Sequence, residues 1–387
     1  MTTVKAAVMT GPGRDIEVRE FARPALEPGA VLLETLYSEV CGTDCHLRHG
    51  RLAGVPYPII PGHVSVGRIA EMGGQVCDVH GAPFRPGDIV AFLDVHETCG
   101  RCWHCLVAKA STRCPSRRVY GITYSADEGL LGGWSQMIYL KPGVRMLRLP
   151  EGVRPETYIA GGCGLPTAFH AVERAGVRMG DTVAVQGCGP VGLCAVVLAR
   201  LAGAAQVILI GAPAARLDVG RQFGADALIN IEELPEPDAR IEAVRAATGG
   251  RGADVTIEAT GSPAALPEGC RMTRDAGVYV VVGQYTDNGP ALINPHLDIN
   301  KKHLEIRGCW GCDFSHLYRA LVMMGRTVRD PAPVRWEAMI SRIYGLEEVR
   351  QALDDVAALR VVKAVINPQM DIDRRAAGGQ TDPPQGR

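Results

Sequence analysis

Four cysteines, Cys99, Cys102, Cys105 and Cys114, fall within sixteen residues of the chain. Gaps of two, two and eight residues let a short loop wrap four soft ligands around one tetrahedral ion, which suits Zn²⁺ held by thiolates. An Fe–S cluster is the chemical alternative, and absorbance distinguishes it. Buried structural thiols or a redox pair would have to explain three evenly spaced cysteines in a polar loop that also carries Arg101, His104, Lys109 and Arg113. With all four positions taken by protein, such an ion staples its loop and stays clear of substrate.

A second constellation is built from glycine. Thr182-Val-Ala-Val-Gln186 leads into Gly187-Cys-Gly189-Pro190-Val191-Gly192 and then into a helical stretch through Ala202. A strand, a GxGxxG turn and a helix in that order make a dinucleotide fingerprint. Gly187 permits the tight turn, Gly189 lets backbone approach a pyrophosphate at the helix N-terminus, and Gly192 lets the helix pack on its strand. A glycine-rich turn in some other α/β protein is the plain alternative. An acidic residue is expected at the end of the next strand, about 20 residues on, to bind the ribose hydroxyls. Here the strand ends Ile210-Gly211-Ala-Pro, with Arg216 the nearby cation. Gly211 removes the group that would repel a 2′-phosphate, so NAD and NADP both remain open.

These groups need a frame. At 387 residues the chain exceeds the size at which one core usually stops growing, and its hydrophobic fraction of 47% fills two. A net charge of −1 provides no field for nucleic acid or an anionic membrane, and the longest apolar run, Val191 to Ala199, is too short to span a bilayer. The start lacks the pattern of a secretory signal, which predicts a cytoplasmic protein. Thirteen cysteines, clustered as they are, favour metal binding over a disulfide framework. The Gly- and Pro-rich first part has short β-branched runs, Val31 to Leu36, Val64 to Ala70 and Asp88 to Phe92, as in an irregular β domain. From Asp181 apolar strands alternate with helical segments, which predicts a parallel sheet wrapped by helices. Leu346 to Leu359 is amphipathic, and Val361 to Ile366 reads as a last strand.

Cys41-Gly-Thr-Asp44, Pro61-Gly62-His63, the four-cysteine lobe, Gly162-Cys163-Gly-Leu-Pro-Thr167 and the glycine turn occur in one order along the chain. In this it resembles the zinc-containing medium-chain dehydrogenase/reductase superfamily, to about Ile366. The resemblance implies an α/β fold: a GroES-like β-rich catalytic domain over 1–164, a Rossmann doubly wound parallel sheet over 165–311, and a return to the catalytic domain over 312–366; the Gly-, Pro- and Asp-rich composition of 367–387 predicts a disordered tail. It implies two zinc ions per chain, a structural one in the lobe and a catalytic one on Cys41, His63 and Cys163. An alcohol gives up hydride readily only as its alkoxide, and an open zinc position lowers the pKa of an oxygen held there by several units. By the same resemblance Thr43 accepts the alcohol proton, His46 passes it to solvent through the cofactor ribose, Asp44 fixes the tautomer of a ligand histidine, and Thr167 orients the nicotinamide. His49, His170, Cys45, Cys188 and Cys194 read as structural. Leu52, Val95, Trp103 and Trp134 are candidates for pocket walls, with core or surface roles equally open.

Two departures stand out. The family commonly has Gly-His-Glu, where this chain has Gly62-His63-Val64, and the connection Met72 to Pro86 is long. The resemblance implies oxidation of a primary or secondary alcohol with NAD or NADP, or the reverse reduction. The rivals are a metal-free quinone or enoyl reductase on the same fold, and a non-catalytic protein that binds NAD(P) and zinc. A zinc count separates the three. The partner is a small alcohol or carbonyl compound, and the resemblance implies a homodimer or homotetramer formed through the strand near Leu304 to Trp310.

Overall fold

A computed structural model describes residues 3–370. The tail expected over 367–387 lies outside the described residues from 371 onward. Residues 367–370 do not belong to a tail, because Gln369 Nε2 donates to the carbonyls of Thr35 at 3.2 Å and Gln136 at 2.8 Å. The chain divides into two compact units.

Among the described residues the first unit comprises 3–99, Pro115–Leu149 and 340–370. Its main sheet runs in the order Ile340–Tyr344, Lys363–Ile366, Val31–Val40, Ser65–Met72, Ile89–Phe92, Met146–Arg148, with Met137–Leu140 also paired to Val31–Val40. Only the first two of these strands are parallel. The central strand is longer than its apolar run, because its last residues pair on both sides: Ser38 faces Ser65 and Glu39 faces Val365. Ser38, Glu39 and Val40 are all buried, so polar residues sit here where an apolar run would ordinarily mark an interior strand. Trp134, fully buried, donates its indole N–H to the Glu39 carbonyl at 3.1 Å, so it is a core residue. The amphipathic C-terminal stretch forms the helix Val349–Ala357, whose Val349, Ala352 and Leu353 enter the same core as Val4, Val8, Ile59 and Leu47.

The second unit comprises Gly100–Cys114 and Pro150–Met339. Its six parallel strands lie in the order Ala227–Asn230, Gln206–Gly211, Thr182–Gln186, Ala253–Glu258, Thr273–Val281, Glu305–Gly308. In sequence rank that order is 3-2-1-4-5-6, the doubly wound dinucleotide-binding topology, and the chain reverses direction across the sheet beside Thr182–Gln186. Sequence reading named residues 312–366 as the return to the first domain; the return starts later, at Ile340. Phe314–Val328 forms a helix against Gly164–Ala175 within the second unit, because its apolar face, Leu317, Ala320, Leu321 and Met324, is buried there. Among the described residues no helix is long and apolar enough to cross a membrane.

Candidate functional site

Cys41 is the N-cap of the short helix Gly42–Arg48. Its Sγ accepts the Thr43 N–H at 3.3 Å, and Asp44 Oδ2 accepts the Cys41 N–H at 2.9 Å. The Cys-Gly-Thr-Asp segment is therefore a capping box with sulfur in place of the usual hydroxyl, and it fixes where that sulfur points. His63 lies just past the end of a Pro-Gly turn in which Gly62 has φ +84°. A Cβ on Gly62 would stand 2.5 Å from Ser38 Oγ, and one on Gly121 would stand 2.8 Å from the His63 backbone nitrogen. Glycines at both positions let the imidazole be buried against the sheet.

Within this unit His63 Nε2 lies 3.8 Å from Cys41 Sγ and 4.0 Å from Glu39 Oε1. One donor atom from each of Glu39, Cys41 and His63 falls within 4.8 Å of the others. A tetrahedral zinc with bonds of about 2.3 Å to sulfur and about 2.0 Å to nitrogen separates those two ligands by roughly 3.6 Å, so the donors fit one ion. The charges fit as well. Burial opposes the imidazolium form of His63, yet the adjacent Cys41 thiolate, Asp44 and Asp94 outweigh it and hold its pKa well above the ordinary value. Burial and the Cys41 thiolate push the Asp44 carboxyl up, against the pull of His63. Both directions describe a buried pocket rich in anions and receptive to a cation.

Sequence reasoning assigned Asp44 to the tautomer of a ligand histidine. The structure gives its carboxylate a different bond: Oδ2 closes the capping box, while Asp44 Oδ1 and His63 Nδ1 are both buried without a hydrogen-bond partner. Thr43 and His46 are half-buried on the same short helix. Burial, with Arg51 and His49 nearby, lowers the His46 pKa and keeps the ring neutral. Burial, Asp44 and Cys41 push the Cys45 thiol up to about 12, in keeping with an inert packing role. Glu39 escaped sequence reasoning; its only signal was a carboxylate two residues before Cys41, near the end of the strand Val31–Val40.

In the loop from Cys99 to Cys114, the four Sγ atoms lie within 4.8 Å of one another, with Cys102 to Cys105 at 3.5 Å and Cys102 to Cys114 at 4.0 Å. A one-turn helix, Trp103–Leu106, turns Cys102 and Cys105 to the same side. Four thiols this close in a polar loop match a structural zinc donor set. Trp103, considered above for a pocket wall, is 63% exposed on that helix and meets the His104 ring edge-on.

In the second unit the turn Gly187–Gly192 sits at the carboxyl end of the central strand. Gly187 has φ +106°, and a Cβ on Gly192 would lie 1.8 Å from the Gly187 carbonyl oxygen. By contrast a Cβ on Gly189 would meet nothing within 4 Å, which leaves the N-terminus of the helix Pro190–Leu201 open to a phosphate. Pro190 and Val191 begin that helix, and a Cβ on Gly164 would stand 3.0 Å from the Pro190 carbonyl. The helix Gly164–Ala175 therefore crosses close to the phosphate end, with Cys163 as its N-cap and Thr167 in its first turn. His170, on the same helix, is bonded through Nδ1 to the Gly311 carbonyl at 2.7 Å and stacked on His316, a structural role. Beyond the ends of the next two strands a cavity of about 480 Å³ is bordered by Glu258, Leu266, Val281 and Tyr285.

Gly211 has a packing reason as well as a chemical one. A Cβ there would lie 2.5 Å from Cys188 Sγ, and that sulfur is fixed by a bond to the Ala212 carbonyl at 3.2 Å. Arg216 is buried on the helix that follows, so it is not the solvated residue that helical position alone would allow. Gly211→Ala is expected to cost about 1–3 kcal/mol through overpacking, and Cys188→Ala to restore most of it. Thermal unfolding of both single variants and the double variant measures this; independent, additive effects would rule out the proposed clash.

The family model for the alcohol dehydrogenase GroES-like domain matches residues 27–151, and that for zinc-binding dehydrogenases matches residues 190–325. The chain is 34% identical to 5-exo-hydroxycamphor dehydrogenase of Pseudomonas putida, over 95% of its own length and 99% of that protein's. It is 31% identical to the sorbitol dehydrogenase of Bacillus subtilis, over 91% and 93% of the two chains. Among solved structures, an alcohol dehydrogenase from Thermotoga maritima superposes with a TM-score of 0.89 at 32% identity, covering 95% of this chain and all 100% of the other. A Sinorhizobium meliloti 1021 protein assigned as a zinc-binding dehydrogenase and solved bound to NADP superposes with a TM-score of 0.81 at 28% identity, over 95% and 100%. With both domain models matched and one relative alike from end to end, the chain belongs to the zinc-binding alcohol dehydrogenase family of the medium-chain dehydrogenase/reductase superfamily.

Proposed function

We propose that this chain is a zinc-dependent dehydrogenase that transfers hydride reversibly between a primary or secondary alcohol and NAD or NADP. The observation that carries the proposal is the approach of Cys41 Sγ to His63 Nε2, 3.8 Å apart in an anionic pocket. Cys163 completes the ligand set in this reading: Cys41, His63 and Cys163 would hold a zinc that would supply Lewis-acid polarisation of the substrate oxygen. Thr43 accepts the alcohol proton, and His46, kept neutral by its burial, is able to take it onward. Thr167 and the Gly187–Gly192 turn, with Pro190 and Val191, seat the dinucleotide; Arg216 beside Gly211 is its cation at the ribose end. Cys99, Cys102, Cys105 and Cys114 hold a second, structural zinc. A metal-free reductase has no use for either donor set. We place the enzyme in the cytoplasm, where thiolate ligands stay reduced. Chain association uses Glu305–Gly308, the last strand of its sheet, to give a dimer or tetramer.

Relatives named for 5-exo-hydroxycamphor, erythritol or L-threitol, and sorbitol make those alcohols the first to try. The test is a spectrophotometric screen of alcohols with NAD and NADP in parallel, beside a zinc count. Two zinc ions per chain and cofactor reduction with at least one alcohol are expected. One zinc without turnover would indicate a binding protein, and turnover without zinc a metal-free reductase; either overturns the proposal.

A further inference from the structure

Val64 stands where the family commonly carries the glutamate of Gly-His-Glu, yet the pocket still holds a carboxylate that reaches the His63 nitrogen. It comes from a different strand. Glu39 is fully buried at the end of Val31–Val40, with Oε1 4.0 Å from His63 Nε2 and Oε2 bonded to Lys363 Nζ at 2.6 Å. Lys363 is itself 1% exposed and comes from the neighbouring strand Lys363–Ile366. Main-chain bonds hold the carboxylate's backbone on both sides, since Glu39 N–H donates to the Val64 carbonyl at 3.1 Å and the Glu39 carbonyl accepts from Trp134.

Burying a carboxylate next to a thiolate is costly, and a cation nearby offsets that cost. Lys363 partners one oxygen. The other lies in the Cys41–His63 donor cluster, within 4.8 Å of both other donor atoms. We propose that Glu39 is a metal ligand of this centre, beside Cys41 and His63, and that it replaces the glutamate missing at position 64. Lys363 is a positioning residue: it holds Oε2 and so presents Oε1 to the ion. Its charge also offsets one of the anions gathered at the centre.

This inference rests on the reading of Cys41 and His63 as zinc ligands, and the experiment separates the two. Zinc release to a chromophoric chelator is followed for the intact parent, Glu39→Asp, and the pair Glu39→Gln with Lys363→Met, which leaves no unpaired buried charge. Cys41→Ser identifies which phase of release belongs to this centre. The paired variant is expected to release that zinc at least about tenfold faster than the parent, within the range seen when groups around a metal are removed. Glu39→Asp, which keeps the lysine pair but withdraws the oxygen by one carbon, is expected to fall between and still folds if the paired variant does not. Release from both variants at the parent's rate overturns the role of Glu39 while leaving the centre intact. Absence of a Cys41-dependent phase in the parent overturns the centre itself, and the inference with it.

Discussion

Cys41→Ser is expected to lower kcat/KM for alcohol oxidation by about 10³-fold or more, since a metal's polarisation of the reacting oxygen contributes several kcal/mol. Serine offers a neutral hydroxyl where the centre needs an anionic sulfur, so the ion is lost or held too weakly to act. Folding should hardly change. Cys41 caps the helix Gly42–Arg48 through its sulfur, and serine is among the best N-cap residues, so the hydrogen bond from Thr43 N–H survives the substitution. The lobe thiols are untouched, and the zinc count should fall from two to one. Steady-state kinetics, metal content and a melting curve on the same preparation check all three points. Turnover at the parent's rate would show that the sulfur serves the helix alone. A collapse in melting temperature would mean that the ion, and not the capping box, maintains this corner of the sheet.

What made parts of this site readable in advance is how locally their parts are encoded. The lobe brings its own ligands within one loop, and the glycine turn announces itself because Gly187 needs a positive φ and Gly192 cannot carry a Cβ. Strands of the parallel sheet were visible as apolar runs. The short strand Ala227–Asn230 was not marked in this way, and Glu305–Gly308 was placed only through the family resemblance; both are sheet edges with weak apolar patterns.

Glu39 and Lys363 were illegible for the opposite reason. They are 324 residues apart, and nothing in either local sequence marks them as partners. Only the pairing of Lys363–Ile366 with Val31–Val40 brings the lysine to the carboxylate, and only the pairing of Val31–Val40 with Ser65–Met72 brings the carboxylate to His63. The absence of glutamate at position 64 was plain in the sequence, while its replacement required three strands to be assembled. Asp44 shows a related limit: the helix cap takes its Oδ2, a bond the motif did not announce, while Oδ1 and His63 Nδ1 are buried without a hydrogen-bond partner.

His46→Gln is expected to reduce kcat for alcohol oxidation by about 10²-fold near neutral pH, at the lower end for removal of a positioned acid–base group. The direction of the pH effect follows from the depressed pKa of the ring. Burial, with Arg51 and His49 close by, disfavours the imidazolium, so the parent ring is already neutral and able to accept a proton below its ordinary value of about 6.5. Parent kcat should therefore hold steady down to about pH 6.5 and fall only in more acidic solution. Glutamine keeps the side chain's polarity but cannot cycle a proton, so the variant must rely on hydroxide and buffer. Its deficit should shrink as pH rises, giving a kcat that climbs toward the parent's between about pH 7 and about pH 10. Two profiles that run parallel across this range would assign His46 to shaping the pocket, and the proton would need another path from Thr43 to solvent.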